Sequence, residues 1–327
     1  MTRPYKVVIT TGDLDGIGLE VVAKALQKVG PKQGFNFYVW RSPQAKNKYL
    51  KIIDSKFHRQ TVSSWPEAMK DTPGNHKVLI DIASNLSPAQ WVEQSAKAGL
   101  YGHVDALATA PLSKTSILNA GFKDIGHTEI LRRVTKSEYL FMTFIGEKFS
   151  CLIMSGHIPL ASVHKELKIP LVVRAIKNAN TLKKLLGRTK RDRPVALVGL
   201  NPHAGESGIL GKEEAEIFAP ALKMAREKNI KVEGPLVPDV AYQESQWKKY
   251  SIYVAPYHDQ ALIPFKLVHQ HAGLHLTFGL PFIRTSCDHG TAKDIFGKDK
   301  ADPTSMTEAI VWAMQLAKEK VSLNDEV

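Results

Sequence analysis

The fold class is decided by residues 5–29, which read YKVVITTGDLDGIGLEVVAKALQKV. Tyr5–Thr11 is an apolar, β-branched run of the kind that forms a buried strand. A glycine-rich turn follows it, and Leu19–Val29 then has the apolar spacing of a helix. A strand that passes through a turn into a helix begins a βαβ unit, so this segment predicts an α/β protein.

The turn Gly12–Gly18 admits two interpretations. Free backbone N–H groups at the start of the following helix would favour a phosphate group. A tight connection from strand to helix would equally need glycine at positive φ. The spacing does not match the GxGxxG pattern of dinucleotide-binding turns, because the third glycine position after Gly16 and Gly18 is occupied by Val21.

The alternation of strands and helices continues along the chain. We predict strands at 35–40, 105–109, 195–200, 251–255, 274–278 and 282–286, and a strand pair at 139–145 and 148–155. We predict helices at 44–52, 89–100, 128–134, 171–186, 213–228 and 303–320. This order favours a largely parallel sheet, and the ligands of such sheets lie beyond the carboxyl ends of the strands.

The composition restricts the class of protein. The 327 residues are 43% hydrophobic and 23% charged, which is typical of a folded protein of about two domains. No apolar run approaches the roughly 20 residues that span a bilayer, and no signal peptide is recognisable, so we expect no membrane partner. The two cysteines, Cys151 and Cys287, lie far apart and outside any CxxC motif, which favours a reducing cytoplasm.

The chain carries a net charge of +12, which raises the question of a nucleic-acid partner. The densest basic stretch, Lys183–Arg193, contains no aromatic residue on which a base could stack. We therefore interpret it as a solvated helix end and loop, and expect no nucleic-acid partner. The positive charge would also attract an anionic substrate and a dinucleotide.

Three histidines follow strand-like runs at equivalent positions. They are His157 in MSGH, His203 in LNPH and His258 in APYH. Loops at one rim of a parallel sheet could aim three imidazoles at one divalent cation and leave positions open for a substrate. Histidines at strand ends can equally cap loops through backbone hydrogen bonds. Without a local motif such as HExxH, the spacing does not choose between a metal site and a structural role.

Other polar residues stand where packing does not require them. His127 and Thr128 lie at a predicted helix start, where Thr128 can cap the helix and free N–H groups favour an anion. Lys266 and Arg284 flank the predicted strand at 274–278. Because Arg284 lies in the apolar stretch PFIRTS, it needs either an internal carboxylate or a ligand anion.

Taken together, these motifs resemble those of the 4-hydroxythreonine-4-phosphate dehydrogenase family. The matching stretches are GDLDGIGLE at 12–20, TAPLSK at 109–114, GHTE at 126–129, NPHAGE at 201–206, YHDQ at 257–260 and GLPFIRTSCDHGTAKDI at 279–295. They follow the order of the family and extend over most of the chain. Each stretch alone is short, but the joint match is specific.

The resemblance implies a two-domain α/β fold like that of the isocitrate and isopropylmalate dehydrogenases, with the active site in the interdomain cleft. Residues 1–135 and 287–327 would form the first domain, and residues 136–286 the second. The second domain would carry the interface of a homodimer whose two subunits share the active site.

The resemblance also implies roles for individual residues. The metal ligands would be His157, His203 and His258, with one of the three coming from the partner subunit. The substrate contacts would be His127, Thr128, Lys266, His275 and Arg284. HGTAKDI resembles the HGSAPDI loop that holds the NAD adenosine in isopropylmalate dehydrogenases. The implied cofactor contacts are therefore His289, Gly290 and Asp294.

The implied reaction is a metal-dependent oxidation of the C3 hydroxyl of 4-phosphooxy-L-threonine, with hydride transfer to NAD⁺. The resulting 3-oxo acid loses carbon dioxide and yields 3-amino-2-oxopropyl phosphate for pyridoxal phosphate synthesis. The metal would be zinc, cobalt or magnesium. Asp239 and Asp259 are both candidates for proton transfer, and the sequence does not choose between them.

Departures from the family pattern bear on the substrate. His275, in GLHLTFGLP, stands where the family usually has asparagine, and Leu14, Asp15 and Phe296 also replace the usual residues. The alternatives are therefore a paralogous dehydrogenase for erythronate or threonate 4-phosphate, or one for a dihydrodiol carboxylate. A phosphate acyltransferase-like enzyme of related fold is the alternative from another class, and it would have no use for the three histidines.

Overall fold

The computed structural model describes residues 3–70, 73–270 and 273–325. The chain divides into two compact units. Unit 1 consists of Met1–Glu138 and Leu280–Val327, and unit 2 consists of Tyr139–Gly279. The strand at Ile283–Ser286, which we predicted in the second domain, belongs to unit 1 because it pairs with Ala106–Thr109 of that unit.

The elements below are those of the described residues. The strands are β1 (Tyr5–Thr10), β2 (Phe35–Arg41), β3 (His58–Val62), β4 (Val78–Ala83), β5 (Ala106–Thr109), β6 (Phe141–Ile145), β7 (Cys151–Ile153), β8 (Val195–Val198), β9 (Val232–Leu236), β10 (Tyr253–Ala255), β11 (Leu274–Phe278) and β12 (Ile283–Ser286). The helices are α1 (Gly18–Val29), α2 (Asn47–Asp54), α3 (Trp65–Ala68), α4 (Pro88–Leu100), α5 (Lys114–Asn119), α6 (His127–Thr135), α7 (Val163–Glu166), α8 (Ile169–Leu185), α9 (Arg188–Arg191), α10 (Ala219–Arg226), α11 (Pro238–Ala241), α12 (Glu244–Trp247), α13 (His258–His269) and α14 (Thr304–Asp325). Short 3-10 segments occur at Leu160–Ser162, Pro202–Gly208 and Lys293–Ile295, and a π-helical turn at Glu214–Phe218.

Unit 1 contains a parallel sheet. Its strand order in the described residues is β3-β4-β2-β1-β5-β12, and all neighbouring strands run parallel. β2, β5 and β12 are buried along their whole length, as expected of parallel strands that are covered on both faces. The carboxyl ends of β1, β5 and β12 therefore lie at the same edge, and each is followed by one of the polar motifs.

Unit 2 contains a mixed sheet. Its strand order in the described residues is β11-β6-β7-β10-β8-β9. β6 is antiparallel to β11 and β7, as the predicted strand pair required, whereas β7, β10, β8 and β9 run parallel. α13 covers one face, where Phe265 joins Phe144 and Phe149 in the core. The carboxyl ends of β7, β8 and β10 lie at one edge, and each of the three histidines predicted as metal ligands follows one of them.

Some elements were not predicted from the sequence. β3 (HRQTV) is polar and mostly exposed beside β4, so it shows no apolar alternation. α13 contains Pro264, a residue that normally interrupts helices, and this hid a helix of 12 residues. No helix in the described ranges is both long enough and apolar enough to cross a bilayer.

Candidate active site

His157 and His258 meet at the edge of the unit 2 sheet. β7 and β10 are neighbours, with Ile153 paired to Ala255, so the residues that follow the two strands emerge side by side. The two imidazole rings lie 5.0 Å apart between centroids and are tilted by 47°. The structure therefore brings together two of the three histidines that we predicted as metal ligands.

His258 is oriented by its neighbour in the chain. Its Nδ1 lies 2.6 Å from Oδ1 of Asp259. A carboxylate at Nδ1 selects the tautomer that carries its proton there and leaves Nε2 as a lone-pair donor, an arrangement that is common behind metal-bound histidines. The sequence predicts a loop at His258, but in the structure this residue begins α13. Asp259, in the first turn, also interacts favourably with the helix dipole.

His203 follows β8, the strand next to β10. It is exposed, and it lies in a loop whose residues 203–207 all have positive φ. In the described part of a single chain, no three histidine, cysteine, aspartate or glutamate side chains lie close enough to hold a metal. His157 and His258 thus form a pair in one chain, without His203 as a third ligand.

The other predicted residues of unit 2 lie on different elements. Lys266 is exposed on α13, and Asp239 is exposed on α11. His275 is half-buried on β11, and its ring stacks on Phe144 of β6 with centroids 4.8 Å apart and planes inclined by 13°. This stacking fixes the plane of the imidazole. A non-aromatic residue in place of His275 would therefore lose the stacked orientation as well as the hydrogen-bonding groups of the imidazole.

In unit 1, Arg284 is buried on β12. Only 2% of it is exposed, and Nη2 donates a hydrogen bond to Oγ1 of Thr109 at 2.7 Å. Burial lowers the pKa of Arg284 to about 10, because the charged form is poorly solvated there. Burial also raises the pKa of the nearby Cys287 thiol to about 12, so this cysteine is a neutral residue rather than a nucleophile.

His127 and Thr128 begin α6. The expectation that Thr128 caps the helix is wrong: the N-cap residue is Gly126, in an extended conformation, and no side chain caps the helix. His127 and Thr128 are the first and second helical residues, and both are half-buried. Their backbone N–H groups belong to the first turn of a nine-residue helix, the end that favours an anion.

The turn Gly12–Gly18 and the stretch HGTAKDI at 289–295, both in unit 1, are in contact. The N–H of Ile17 donates to the carbonyl of Thr291 at 3.0 Å. Nζ of Lys293 lies 2.7 Å from Oδ2 of Asp15 and 3.6 Å from Oδ2 of the buried Asp13. The turn after β1 and the loop after β12 therefore form one surface, although more than 270 residues separate them in the chain.

The predicted cofactor residues lie on this surface. Nδ1 of His289 is 3.0 Å from the carbonyl of Gly290, while its Nε2 is buried and has no hydrogen-bond partner within the described residues. Asp294 is exposed in the 3-10 turn that follows. A cavity of about 160 Å³ adjoins the turn after β1 and is lined by Asp13, Arg41 and Phe296, among others.

Two residues that shape these sites were not singled out from the sequence. Glu214 is buried beneath the loop of His203, and Thr109 is a hydrogen-bond partner of Arg284. The sequence contains only indirect signals for them, namely two adjacent glutamates before a helix and a threonine at a strand end. Neither pattern is distinctive, because hydrogen bonds between distant segments have no sequence period.

Comparison with known proteins identifies the family to which this chain is similar. A family model described as the pyridoxal phosphate biosynthetic protein PdxA matches residues 34–313. The chain is 35% identical to a 4-hydroxythreonine-4-phosphate dehydrogenase of Sulfurihydrogenibium sp., over 96% of this chain and 98% of that protein. It is also 35% identical to a D-threonate 4-phosphate dehydrogenase of Pectobacterium atrosepticum, over 95% and 99% of the two chains.

Solved structures give the same assignment. The fold is similar to that of a 4-hydroxythreonine-4-phosphate dehydrogenase from Klebsiella pneumoniae, with a TM-score of 0.78, 30% identity and coverage of 96% of this chain and 98% of that one. A β-decarboxylating dehydrogenase from Thermococcus kodakarensis, at 14% identity, has a TM-score of 0.52, and this likeness concerns the fold alone. The predicted fold class is confirmed. With a family model that matches most of its length and relatives that match nearly all of it, this chain belongs to the PdxA family of pyridoxal phosphate biosynthetic proteins.

Proposed function

We propose that this protein is a metal-dependent, NAD-linked dehydrogenase that oxidises the C3 hydroxyl of 4-phosphooxy-L-threonine. The hydroxyl carbon loses a hydride to the nicotinamide, and its oxygen loses a proton to a base. The resulting 3-oxo acid then loses carbon dioxide to give 3-amino-2-oxopropyl phosphate. The names of the similar proteins support the dehydrogenase activity and the phosphorylated substrate.

The observation that carries the proposal is the histidine pair. The donor set fits a borderline divalent cation such as zinc or cobalt, because His157 and His258 are adjacent and Asp259 holds His258 with Nε2 available. A cation held there supplies Lewis-acid polarisation of the substrate hydroxyl. We propose His203 as the third ligand. Since it does not join the pair within one chain, the ligand set would be completed across a homodimer.

The proposed substrate contacts supply positive charge and hydrogen bonds. Lys266 and Arg284 would neutralise anionic groups, while His127 and Thr128 would contribute the first turn of α6. For the proton, Asp239 and Asp259 remain the candidates. Because Asp259 already accepts a hydrogen bond from His258, its first role is to orient that imidazole.

The proposed cofactor contacts are His289, Gly290 and Asp294. The buried Nε2 of His289 has no partner among the described residues, which fits a group that a ligand completes. NAD⁺ bound at this loop supplies the hydride acceptor. A cytoplasmic location is part of the proposal, and the two buried free thiols, Cys151 and Cys287, are consistent with a reducing compartment.

A second candidate substrate is D-threonate 4-phosphate. A relative of equal identity bears the name of that activity, and His275 stands where the resembled family has asparagine. This substrate has a hydroxyl in place of the amino group, and a polar contact to that position can change specificity strongly. The chemistry at C3 would be the same.

The test is spectrophotometric NADH formation with each of the two substrates. Protein stripped of metal by a chelator would be compared with protein reloaded with zinc, cobalt or magnesium. We expect the chelator to abolish turnover and reloading with metal to restore it. We expect His203→Ala to lose both turnover and bound metal. His103→Ala, at an exposed histidine outside the proposed ligand, substrate and cofactor residues, should behave as wild type. Turnover indifferent to the chelator would overturn the metal assignment, and no turnover with either substrate would overturn the proposed reaction.

A further inference from the structure

The loop Asn201–Gly211 carries His203 on a backbone of unusual handedness. Six consecutive residues have positive φ, and these are His203 (51°), Ala204 (51°), Gly205 (83°), Glu206 (42°), Ser207 (56°) and Gly208 (93°). Only glycine adopts this region freely, because a Cβ atom crowds the backbone there. Four of these six residues are not glycine, so contacts outside this run must hold the loop in this conformation.

Glu214 makes such contacts at the start of the loop. Its Oε1 accepts hydrogen bonds from the N–H groups of Leu200 and Asn201, each at 2.8 Å. Its Oε2 accepts a third, from Nδ2 of Asn201 at 2.9 Å. Only 5% of Glu214 is exposed, so water competes little for these bonds and each one restrains the chain strongly.

The rest of the loop closes around the same carboxylate. A Cβ atom at Gly205 would lie 2.8 Å from Oε2 of Glu214 and 3.0 Å from the carbonyl of Gly211. The N–H of Leu210 donates to the carbonyl of Gly205 at 3.1 Å, which closes the turn. Glu214 thus accepts hydrogen bonds from residues before His203 and lies close to Gly205 after it.

The element that presents Glu214 is also specialised. Glu214 is the first residue of the π-helical turn Glu214–Phe218, whose last residue, Phe218, is fully buried. Glu213, immediately before it, accepts a further hydrogen bond from Nδ2 of Asn201 at 2.8 Å. Two successive carboxylates therefore hold one amide, and π-helical turns of this kind are frequent beside functional sites.

We propose that Glu214 is a positioning residue for His203, which sets the left-handed loop so that the imidazole is presented for metal binding. The inference rests on the proposed function, in which His203 is a metal ligand. The three hydrogen bonds that Glu214 accepts come from Leu200 and Asn201. Glu214 therefore acts on His203 through the backbone and not by contact with the metal or the substrate.

The test compares Glu214→Ala and Glu214→Gln with Glu216→Gln, a control at an exposed glutamate of the same turn. Glutamine keeps one oxygen for the two backbone N–H groups but cannot accept from Asn201. We expect zinc affinity, measured by competition with a chromophoric chelator, to fall by about 10–100-fold in Glu214→Ala and by less in Glu214→Gln. The control should match wild type.

A second readout uses metal-free protein and needs no activity. Hydrogen–deuterium exchange at residues 201–211 should be faster in both Glu214 variants and unchanged in His203→Ala, which should lose zinc affinity nonetheless. If His203→Ala keeps its zinc affinity, the metal assignment falls and this role of Glu214 falls with it. A different outcome separates the two ideas. Suppose that His203→Ala loses zinc affinity while Glu214→Gln, and Glu214→Ala if it folds, keep wild-type zinc affinity and slow exchange. In that case the positioning role of Glu214 is wrong and the proposed function stands.

Discussion

Among single residues, Asp81 shows how burial increases the contribution of an ion pair to stability. It is 1% exposed on β4 and accepts two hydrogen bonds from Arg41, at 2.8 and 2.7 Å. Arg59 of β3 donates a third at 2.6 Å. Arg59 also pairs with Asp54, whose side chain is 42% exposed. The same arginine thus makes one buried and one exposed ion pair, which should differ greatly in their contribution to stability.

We expect Asp81→Ala to lower the free energy of unfolding by about 3–5 kcal/mol, because it leaves the buried guanidinium of Arg41 without its carboxylate. Asp54→Ala should cost less than about 1 kcal/mol, since water and salt screen an exposed pair. Urea denaturation of the two variants and the wild type measures both values. If Asp81→Ala and Asp54→Ala lose equal amounts of unfolding free energy, the buried pair does not contribute more to stability than the exposed one, and the prediction is wrong.

At the scale of elements, the C-terminal end of α13 is joined to the turn between β6 and β7 through His269. Its Nδ1 lies 3.1 Å from the carbonyl of Phe265, which can only accept, so the proton is on Nδ1. Its Nε2 then accepts from the N–H of Lys148 at 3.1 Å. Burial lowers the pKa of His269, as do the nearby Lys190 and Lys148. The hydrogen bond to the Phe265 carbonyl and the charge of Glu147 oppose this shift without reversing it.

This neutral histidine should make stability depend on pH. Because the pKa of His269 is lower in the folded state than its ordinary value of about 6.5, the unfolded chain binds the proton more readily. Its contribution is fully present above that value and is lost as the pH falls below it. We expect the melting temperature to decline from about pH 7.5 to about pH 5.5.

The matched variants are His269→Gln and His103→Gln, the second at an exposed histidine. Calorimetry across the pH range should show a smaller decline in His269→Gln, although that variant will be less stable at neutral pH. His103→Gln should keep the wild-type slope. An unchanged slope in His269→Gln would show that other groups cause the pH dependence.

At the scale of the whole molecule, unit 2 exposes an apolar stripe on α13. Ile263 and Leu267, one helical turn apart, are 68% and 79% exposed. Each is large enough to contribute strongly when it is buried against another surface. The stripe belongs to the helix that begins at His258, so a partner subunit docked there would lie on the same element as the proposed metal ligand.

We expect the wild type to be a homodimer and Leu267→Asp to be a monomer, because a buried carboxylate without a partner is strongly disfavoured. Leu118→Asp in unit 1, also at an exposed leucine, should remain dimeric. Sedimentation velocity gives the mass of each species, with circular dichroism as the control for folding. A dimeric Leu267→Asp would exclude this stripe as the interface.

The local units of the fold follow from the amino-acid sequence alone. The β-branched run at 5–10, the glycine turn after it and the apolar spacing of α1 depend only on neighbours in the chain, and the structure has all three. The motifs that resemble the family, such as NPHAGE and HGTAKDI, also indicated in advance the family to which the chain belongs. Patterns of this kind are visible because hydrophobic period and turn chemistry are short-range properties.

Which of these residues come into contact depends on the folded chain as a whole. His157 and His258 are adjacent because β7 pairs with β10 in a register that no local pattern specifies. Lys293 contacts Asp15 across 278 positions of the chain. His203 lies in a left-handed loop that is hydrogen-bonded to the buried Glu214, and it does not complete a three-ligand group with the pair in the described part of one chain. The physical reason is that strand pairing and buried hydrogen bonds join segments whose separation in sequence has no period, so only the folded chain fixes them.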